Sequence, residues 1–387
     1  MELSYILNEL GEERELYFNA IAPPIAQSSN FAFKNVADFR QGLADEYSAW
    51  LYSRGNNPTV NILRKKLAAL DGAEDALVFG SGIAAISTPV LALVNQGDHI
   101  VSVAKPYSWT IKLFEKLLPR FGVTTTFVDG TQIENFASAI RPNTKLIYLE
   151  SPNTLTFELQ DLEAVSKLAK HKGIITMIDN SYCSSLHQQP YKMGIDLVAQ
   201  SATKYISGHS DVVAGVVTGS KAMIKKIFDA EFLTIGGNIS PMNAWLLIRG
   251  LRTLPLRLAR ICETTRAIVD FMAQQPQVER VIFPLHPSFP QLELAKKQMK
   301  DAGGLFSVVL KAKSVDEVET FTNALKRFFM AVSWGGHESL VIPAIVGFPK
   351  EQFDATNTNH RIVRFYVGLE DANYLISDLK NALSVLK

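Results

Sequence analysis

Short apolar runs alternate with helical patterns from about residue 76 to residue 218, and this alternation constrains the fold more than any other feature. The runs at 145–150 and 174–178 are typical of buried strands. Apolar residues recur at helical spacing between Asp161, a predicted N-cap, and Gly173, a predicted helix end. Strands that alternate with helices favour a mainly parallel sheet with helices on both faces. The predicted fold class is therefore α/β.

The pattern changes near residue 236, which indicates a second and smaller domain. A long helical stretch follows there, and we predict an interruption at Pro255, because proline has no N–H for the helix. The first 50 or so residues are rich in aromatic side chains but show little alternation of strands and helices. This is typical of an arm that packs on a partner or folds back on its own subunit. We predict an arm at 1–52 that contributes to a dimer, a large domain at 53–245 and an α+β domain at 246–387.

Composition excludes several classes of function. The 387 residues are 47% hydrophobic and 20% charged, as in globular proteins, and the net charge is +1. So small a charge gives no basis for binding nucleic acid or an anionic membrane. Cys183 and Cys262 show neither metal-ligand spacing nor a disulfide framework, so no metal is predicted. With no apolar signal core at the N-terminus, a cytoplasmic location is expected.

Lys204 lies between two apolar runs that are typical of strands, LVA at 197–199 and VVAGVV at 212–217. Taken alone, it is more often a solvated loop lysine. In a desolvated turn, however, its pKa would fall and its amine would become a usable nucleophile. The hydroxyls of Ser201 and Thr203 can donate to a phosphate. A lysine beside phosphate donors indicates pyridoxal 5'-phosphate held as a Schiff base.

Asp179 follows the apolar run 174–178, at the end of a predicted strand. Taken alone, such an aspartate is equally typical of a helix N-cap or a turn. Ligands of parallel sheets bind beyond the carboxyl ends of the strands, however. A carboxylate there can hold the pyridine nitrogen of the cofactor protonated. Together with Lys204, Asp179 favours a cofactor site.

Seven stretches of the chain carry a resemblance to a known family. They are YSRGNNPT at 52–59, GSGIAAI at 80–86, ESP at 150–152, IDN at 178–180, VAQSATKYISGHSD at 198–211, SWGGHESL at 333–340 and RFYVGLED at 364–371. These stretches resemble the transsulfuration enzymes, the pyridoxal-phosphate enzymes of cysteine and methionine metabolism, and most closely the cystathionine β-lyase branch. Because they run in the family's order, the resemblance covers nearly the whole chain. It implies the aspartate-aminotransferase-like fold, with a large mainly parallel sheet domain and a smaller α+β domain.

Two stretches indicate phosphate binding. Gly82 and Ile83 open a predicted helix, where free N–H groups and the helix dipole favour a phosphate, although tight helix packing explains the glycine equally well. Tyr52 and Arg54 precede a predicted turn at 55–58 and can bind a phosphate, but an exposed arginine is the simpler interpretation of the pattern alone. The resemblance implies that Tyr52 and Arg54 reach the phosphate of a neighbouring subunit's cofactor. It therefore implies a homodimer at minimum, and a homotetramer built as a dimer of dimers.

Two positions depart from the commonest family pattern. The resemblance places Tyr107 on the cofactor ring, with a possible part in proton handling, but this chain has Tyr-Ser-Trp-Thr where many relatives have Tyr-Gly-Gly-Thr. Many relatives have ESPxNP, and here Thr154 stands where their asparagine contacts the cofactor, with Asn153 just before it. The missing asparagine–proline pair resembles the β-lyase branch.

Arg364 alternates with apolar neighbours on a predicted strand, an arrangement suited to bidentate recognition of a carboxylate. A surface arginine is the commoner interpretation of that pattern alone. The resemblance assigns Arg364 to the α-carboxylate of an amino acid and places Ser333, Trp334 and Thr154 beside the substrate. Before Ser333 stands Val332, where cystathionine γ-lyases and γ-synthases commonly carry glutamate, although valine also occurs in methionine γ-lyases.

We therefore predict a carbon–sulfur lyase in which Lys204, Asp179 and Tyr107 are catalytic and the substrate is a small sulfur amino acid. The predicted reaction is β-elimination of cystathionine to homocysteine, pyruvate and ammonia. The alternatives within the family are cystathionine γ-lyase, methionine γ-lyase, cystathionine γ-synthase and O-acylhomoserine sulfhydrylase. A catalytically silent protein that keeps the fold for binding is the alternative from another class.

Overall fold

A computed structural model describes residues 1–386 and divides them into two compact units. The first unit comprises residues 1–151, 160–207 and 211–253. The second comprises 152–159, 208–210 and the chain from 254 onward.

Helices occur along the whole chain, and most are short. In order they are α1 (Leu3–Asn8), α2 (Val36–Ala44), α3 (Pro58–Asp71), α4 (Gly82–Leu93), α5 (Ser108–Lys112), α6 (Ile133–Ala139), α7 (Leu162–Lys172), α8 (Ser184–His187), α9 (Lys221–Ile227), α10 (Leu233–Ile235), α11 (Pro241–Ala273), α12 (Leu292–Gln298), α13 (Val315–Ala324) and α14 (Ala372–Leu383). Single π-helical turns follow α5 and α9, at Leu113–Leu117 and Phe228–Phe232. The 3₁₀ turns are Arg14–Tyr17, Leu118–Phe121, Pro190–Met193, Ala344–Gly347, Lys350–Gln352 and Thr358–Arg361.

The strands form one sheet in each unit. They are β1 (Asp75–Phe79), β2 (His99–Val103), β3 (Thr124–Val128), β4 (Thr144–Glu150), β5 (Ile175–Asp179), β6 (Leu197–Gln200), β7 (Gly215–Gly219), β8 (Val278–Ile282), β9 (Leu305–Leu310), β10 (Phe329–Met330), β11 (Leu340–Pro343) and β12 (Ile362–Tyr366). The seven-stranded sheet of the first unit has the order β1-β7-β6-β5-β4-β2-β3. The five-stranded sheet of the second unit has the order β10-β11-β12-β9-β8.

The sheet of the first unit is mainly parallel, as predicted. Strands β6, β5, β4, β2 and β3 are parallel neighbours, and only β7 runs antiparallel, to both β6 and β1. Its central strands are buried almost throughout, which explains their continuous apolar sequences. The fold class is confirmed, and the carboxyl ends of β4, β5 and β6 meet at one edge of the sheet.

The boundaries of α7 were predicted correctly from the residues at its two ends. The side chain of Asp161 accepts a hydrogen bond from the Ala164 N–H at 3.0 Å, which satisfies one free donor of the first turn. Gly173 ends the helix with φ +66°, a left-handed conformation that costs glycine little.

The predicted interruption at Pro255 is wrong. Helix α11 runs unbroken through Pro255 over 33 residues. A proline removes one backbone hydrogen bond but does not end a helix whose buried face stabilises it on both sides. Leu251, Leu254 and Leu258 are all almost fully buried around this point.

The N-terminal residues include a short helix that the sequence pattern did not reveal, and they are tied to their own chain. The Glu12 carboxylate, 6% exposed, lies 3.0 Å from the ammonium of Lys66 in α3 and 3.0 Å from the guanidinium of Arg252 in α11. The same ammonium donates to the carbonyls of Ile6 and Leu7 at 2.9 and 3.2 Å. This buried network folds the start of the chain onto its own first unit.

Candidate active site

The predicted cofactor residues of the first unit gather at the carboxyl edge of its sheet. Asp179 ends β5 and is in parallel register with Glu150, which ends β4. Ser201 follows β6 directly, and Lys204 lies in the turn after it. Adjacent parallel strands thus bring residues from distant parts of the sequence to one place, the usual ligand position in such a sheet.

Asp179 is held through one of its two carboxylate oxygens. Oδ1 accepts the backbone N–H of Ser181 at 2.9 Å and the Ser181 hydroxyl at 2.5 Å. Burial raises the pKa of Asp179, whereas the two bonds from Ser181 and then the charge of Lys204 oppose that rise. Among the described residues no other hydrogen bond reaches this carboxylate, so Oδ2 is available to a ligand.

Ser181 has a linking role that the sequence analysis missed. Its hydroxyl donates to Asp179 and accepts the Ser201 N–H at 2.6 Å, so it joins the ends of β5 and β6. The available signal was a hydroxyl two residues beyond a strand-end aspartate, a common local turn arrangement.

The turn after β6 fixes the backbone around Lys204. Its N–H donates to the Ser201 carbonyl at 3.1 Å, and the Ser207 N–H donates to the Ala202 carbonyl at 2.9 Å. Ala202 and Tyr205 are buried on either side, while Lys204 is half-buried. The charge of Lys204 acts on Asp179, which places the two side chains in one electrostatic environment.

The start of α4 forms a small concave surface beside this turn. Ser81 caps the helix by accepting the Ala84 N–H at 3.2 Å. A Cβ atom added at Gly82 would come within 2.9 Å of the Ser201 hydroxyl oxygen, so only glycine leaves this space open. The first N–H groups of α4, at Gly82 and Ile83, have no partner within a helix. Their position suits an anionic group such as a phosphate.

Thr203 has a local partner for its hydroxyl. The side-chain oxygen donates to the Ala214 carbonyl at 3.1 Å and accepts the Ala214 N–H at 2.9 Å. This reciprocal pair ties the Lys204 turn to the segment that enters β7. Its predicted phosphate contact stays a prediction.

Tyr107 belongs to the same electrostatic environment. Its N–H donates to Oε2 of Glu150 at 2.6 Å, and 42% of the residue is exposed. Burial raises the pKa of Tyr107, and the charges of Asp179 and Glu150 raise it further. The predicted ring-stacking residue is therefore at the sheet edge beside both carboxylates.

Tyr52 and Arg54 are exposed and lie against one another. The Arg54 guanidinium carbon is 5.2 Å from the centre of the Tyr52 ring, a cation–π arrangement. Their predicted role in a neighbouring subunit's site stays a prediction.

Arg364 and Ser333 are neighbours within the second unit. Arg364, on β12, donates through Nη2 to the Ser333 carbonyl at 3.4 Å, and burial lowers its pKa to about 10, so it is charged at neutral pH. Two residues further along β12, the Tyr366 hydroxyl donates to the Gly336 carbonyl at 2.7 Å. Two side chains on one face of the strand therefore hold the turn that contains Ser333 and Trp334.

Thr154 lies in the loop 152–159, which also belongs to the second unit. Asn153 organises that loop, because its side chain donates to the Glu158 carboxylate at 3.0 Å and accepts the Glu158 N–H at 3.2 Å. Thr154 itself is half-buried, and its predicted contact with the substrate stays a prediction.

The sequence profile of a family described as Cys/Met metabolism PLP-dependent enzymes matches residues 6–384. The chain belongs to this family. Membership confirms the predicted resemblance and the predicted cofactor, pyridoxal 5'-phosphate. It also makes the chain an enzyme of cysteine and methionine metabolism, and the relatives described next carry the names of lyases.

Named relatives in the family match along almost their whole length. The L-methionine gamma-lyase of Porphyromonas gingivalis is 39% identical over 376 residues, which cover 95% of this chain and 94% of the relative. The L-methionine gamma-lyase of Pseudomonas putida is 36% identical over 378 residues, covering 96% and 95%. The cystathionine gamma-lyase of Bos taurus is 38% identical over 383 residues, covering 97% and 91%. These names are of γ-lyases, so the predicted preference for β-elimination is not confirmed by them.

The described residues fit the family's cofactor. Gly82 leaves space for a phosphate beside Ser201. The half-buried Lys204 supplies an amine, and the available oxygen of Asp179 supplies a partner for a ring nitrogen.

None of the helices described within residues 1–386 combines the length and the apolar sequence that a membrane span requires.

Proposed function

We propose that the chain eliminates a thiol from a sulfur amino acid, and that its principal reaction is the conversion of cystathionine and water into homocysteine, pyruvate and ammonia. The observation that carries the β-specificity is Val332, an apolar residue directly before Ser333. It stands where cystathionine γ-lyases and γ-synthases commonly carry a glutamate. Val332 is 82% exposed, and its own apolar side chain supplies no carboxylate at that position. The absence of the asparagine–proline pair after ESP supports the same choice.

Each proposed site residue has a task that follows from its chemistry. Pyridoxal phosphate, when bound, supplies a ring that withdraws electrons from Cα of the substrate. The Lys204 amine holds the cofactor and then accepts the Cα proton. The Asp179 carboxylate keeps a proton on the pyridine nitrogen. Arg364 binds the α-carboxylate and so orients the substrate for loss of that proton.

The remaining proposed contacts position the cofactor and the substrate. The N–H groups of Gly82 and Ile83 and the hydroxyl of Ser201 bind the phosphate, with Thr203 beside them. Tyr107 packs against the ring.

The keto acid formed from cystathionine tests this proposal. β-Elimination yields pyruvate, whereas γ-elimination yields 2-oxobutyrate together with cysteine, and chromatography separates the two acids. We expect pyruvate to dominate. A product dominated by 2-oxobutyrate would contradict the specificity and leave the fold, the cofactor and the role of Lys204 unchanged.

γ-Elimination of methionine is the second candidate. The names of the relatives from Porphyromonas gingivalis and Pseudomonas putida favour it, and valine at the position of Val332 is compatible with it. Methionine as sole substrate separates the candidates, because only γ-elimination turns it into 2-oxobutyrate.

We also propose a homodimer, and a homotetramer built from two of them, with active sites shared between subunits. The N-terminal segment supports this, because apolar side chains are exposed along it. They include Leu16 at 77%, Phe18 at 100% and Ile21 at 78%. Surfaces of this kind are typical of interfaces between proteins. Tyr52 and Arg54 follow the same segment and are exposed, so they are accessible to a partner.

Mixing two inactive variants tests the shared site. Arg54→Ala is expected to retain its cofactor poorly, because a charged phosphate contact is lost. After subunit exchange with Lys204→Ala, hybrid dimers would contain one site with both residues intact, so activity should exceed that of either parent. Mass spectrometry confirms the exchange. Activity no higher than that of the parents, in samples shown to have exchanged, would rule out the shared site.

A further inference from the structure

Glu150 is a buried carboxylate to which neither the sequence analysis nor the proposed mechanism gives a task. It is 6% exposed and ends β4, in register with Asp179 at the end of β5. Side chains in register on parallel neighbours point to the same side of a sheet, so both carboxylates face the side where the proposed site lies. A buried carboxylate costs free energy unless its oxygens are bonded.

The Glu150 side chain reaches across to the segment that carries Tyr107. Oε2 accepts the Tyr107 N–H at 2.6 Å, a short bond of the kind formed with charged acceptors. Tyr107 is preceded by Pro106, which has no N–H, and its own N–H is therefore the donor available at this corner. The bond links residues 43 positions apart in the sequence.

Glu150 also acts on the phenol of Tyr107. Burial raises the pKa of that phenol first, and the negative charges of Asp179 and then Glu150 raise it further. The other charged groups nearby are Lys204, whose charge acts on Asp179, and Lys105, which is exposed two residues before Tyr107. Tyr148 lies on the same strand as Glu150. Burial raises the pKa of its phenol, and the negative charges of Asp179 and Glu150 raise it further.

We propose that Glu150 is a positioning residue for Tyr107, fixing the backbone of Tyr107 through its N–H and so setting where the aromatic ring stands at the sheet edge. The inference rests on the proposed function, since ring stacking by Tyr107 belongs to it. Glu150 itself touches no reacting atom. It acts through Tyr107.

Two substitutions separate the bond from the charge. Glu150→Gln retains an oxygen that can accept the Tyr107 N–H but removes the charge. Glu150→Leu is similar in size and removes both, which leaves the N–H unpaired. Glu115→Gln is the matched control, because it neutralises an exposed carboxylate in the turn after α5.

The readout is ¹⁹F NMR of the protein labelled with 3-fluorotyrosine, measured without cofactor so that it does not depend on activity. The Tyr107 resonance is the one that disappears in Tyr107→Phe. In Glu150→Gln we expect it to keep its neutral-pH position and to titrate at lower pH than in wild type, because one of the two raising charges is gone. In Glu150→Leu we expect it to move toward the shift of the denatured protein. Glu115→Gln should change neither property.

Kinetics of the cofactor-loaded enzyme give a second readout. Glu150→Leu should lose about tenfold or more in kcat/KM, because misplacing a site residue by about 1 Å is costly, and Glu150→Gln should recover most of it. A Tyr107 resonance that stays in place in Glu150→Leu would overturn the proposal, because the bond to the Tyr107 N–H would then not position the ring. If Glu150→Leu does not fold, Glu150→Ala, which also removes the acceptor, takes its place. A wild-type protein without lyase activity would refute the proposed function and leave the NMR result standing.

Discussion

Lys204→Ala is expected to abolish turnover and to remove the covalent link between protein and cofactor. We propose that the amine of Lys204 both holds the cofactor and accepts the Cα proton. Lys204 lies in a turn closed by two backbone hydrogen bonds, from Lys204 to Ser201 and from Ser207 to Ala202. Its charge also opposes the rise in the pKa of Asp179, so the carboxylate should become harder to ionise when the lysine is removed. Loss of both a holding group and a base exceeds the effect of any single hydrogen bond.

Reduction with borohydride followed by peptide mass spectrometry checks this result. Wild type should carry the reduced cofactor on the peptide that contains Lys204, and Lys204→Ala should carry none. Lys167→Ala, at an exposed position of helix α7, is the matched control and should behave as wild type. A reducible link that persists in Lys204→Ala would contradict the assignment.

Local sequence signals predicted the parts of the fold that depend on neighbours in sequence. Strand β5 and the capped helix α7 were predicted to within a residue or two, because apolar periodicity and caps are properties of short segments. The α/β class followed from the same alternation. Strand β11, only four residues long, was missed because LVIP is too short to show a period. Pro255 was misjudged because burial of the helix around it is a tertiary effect.

The residues of the candidate site also differ in whether neighbours in sequence or distant contacts identify them. Lys204, Asp179 and the start of α4 are marked by their own flanking residues, so they can be predicted as site residues from the sequence alone. Glu150 and Ser181 were not singled out from the sequence, because their contacts arise from register between strands and from bonds to distant backbone. Neither a strand register nor a bond to distant backbone can be recognised within one short stretch of sequence. The choice between β- and γ-elimination is harder still, since it depends on contacts with a substrate's side chain.

Asp179→Asn is expected to bind the cofactor but to lose most of its ability to remove the Cα proton. The amide can still accept both bonds from Ser181 through its oxygen, so the local structure should survive. What disappears is the negative charge that keeps a proton on the pyridine nitrogen. Losing a charge-assisted hydrogen bond costs about 1.5–3 kcal/mol, which corresponds to a rate about ten to a hundred times lower.

Exchange of the substrate's Cα hydrogen with deuterium isolates this step from release of the thiol. It should be measured with cofactor in excess, so that occupancy does not limit the comparison. Asp179→Ala should be slower again, because it also removes the acceptor for Ser181. Ser181→Ala is the informative control: the charge of Asp179 remains, but the hydroxyl that holds its Oδ1 and links to Ser201 is absent. We expect Ser181→Ala to lie between wild type and Asp179→Asn. If Asp179→Asn exchanged the Cα hydrogen within twofold of wild type, the charge of Asp179 would have no part in the step, and the proton on the ring nitrogen would need another partner.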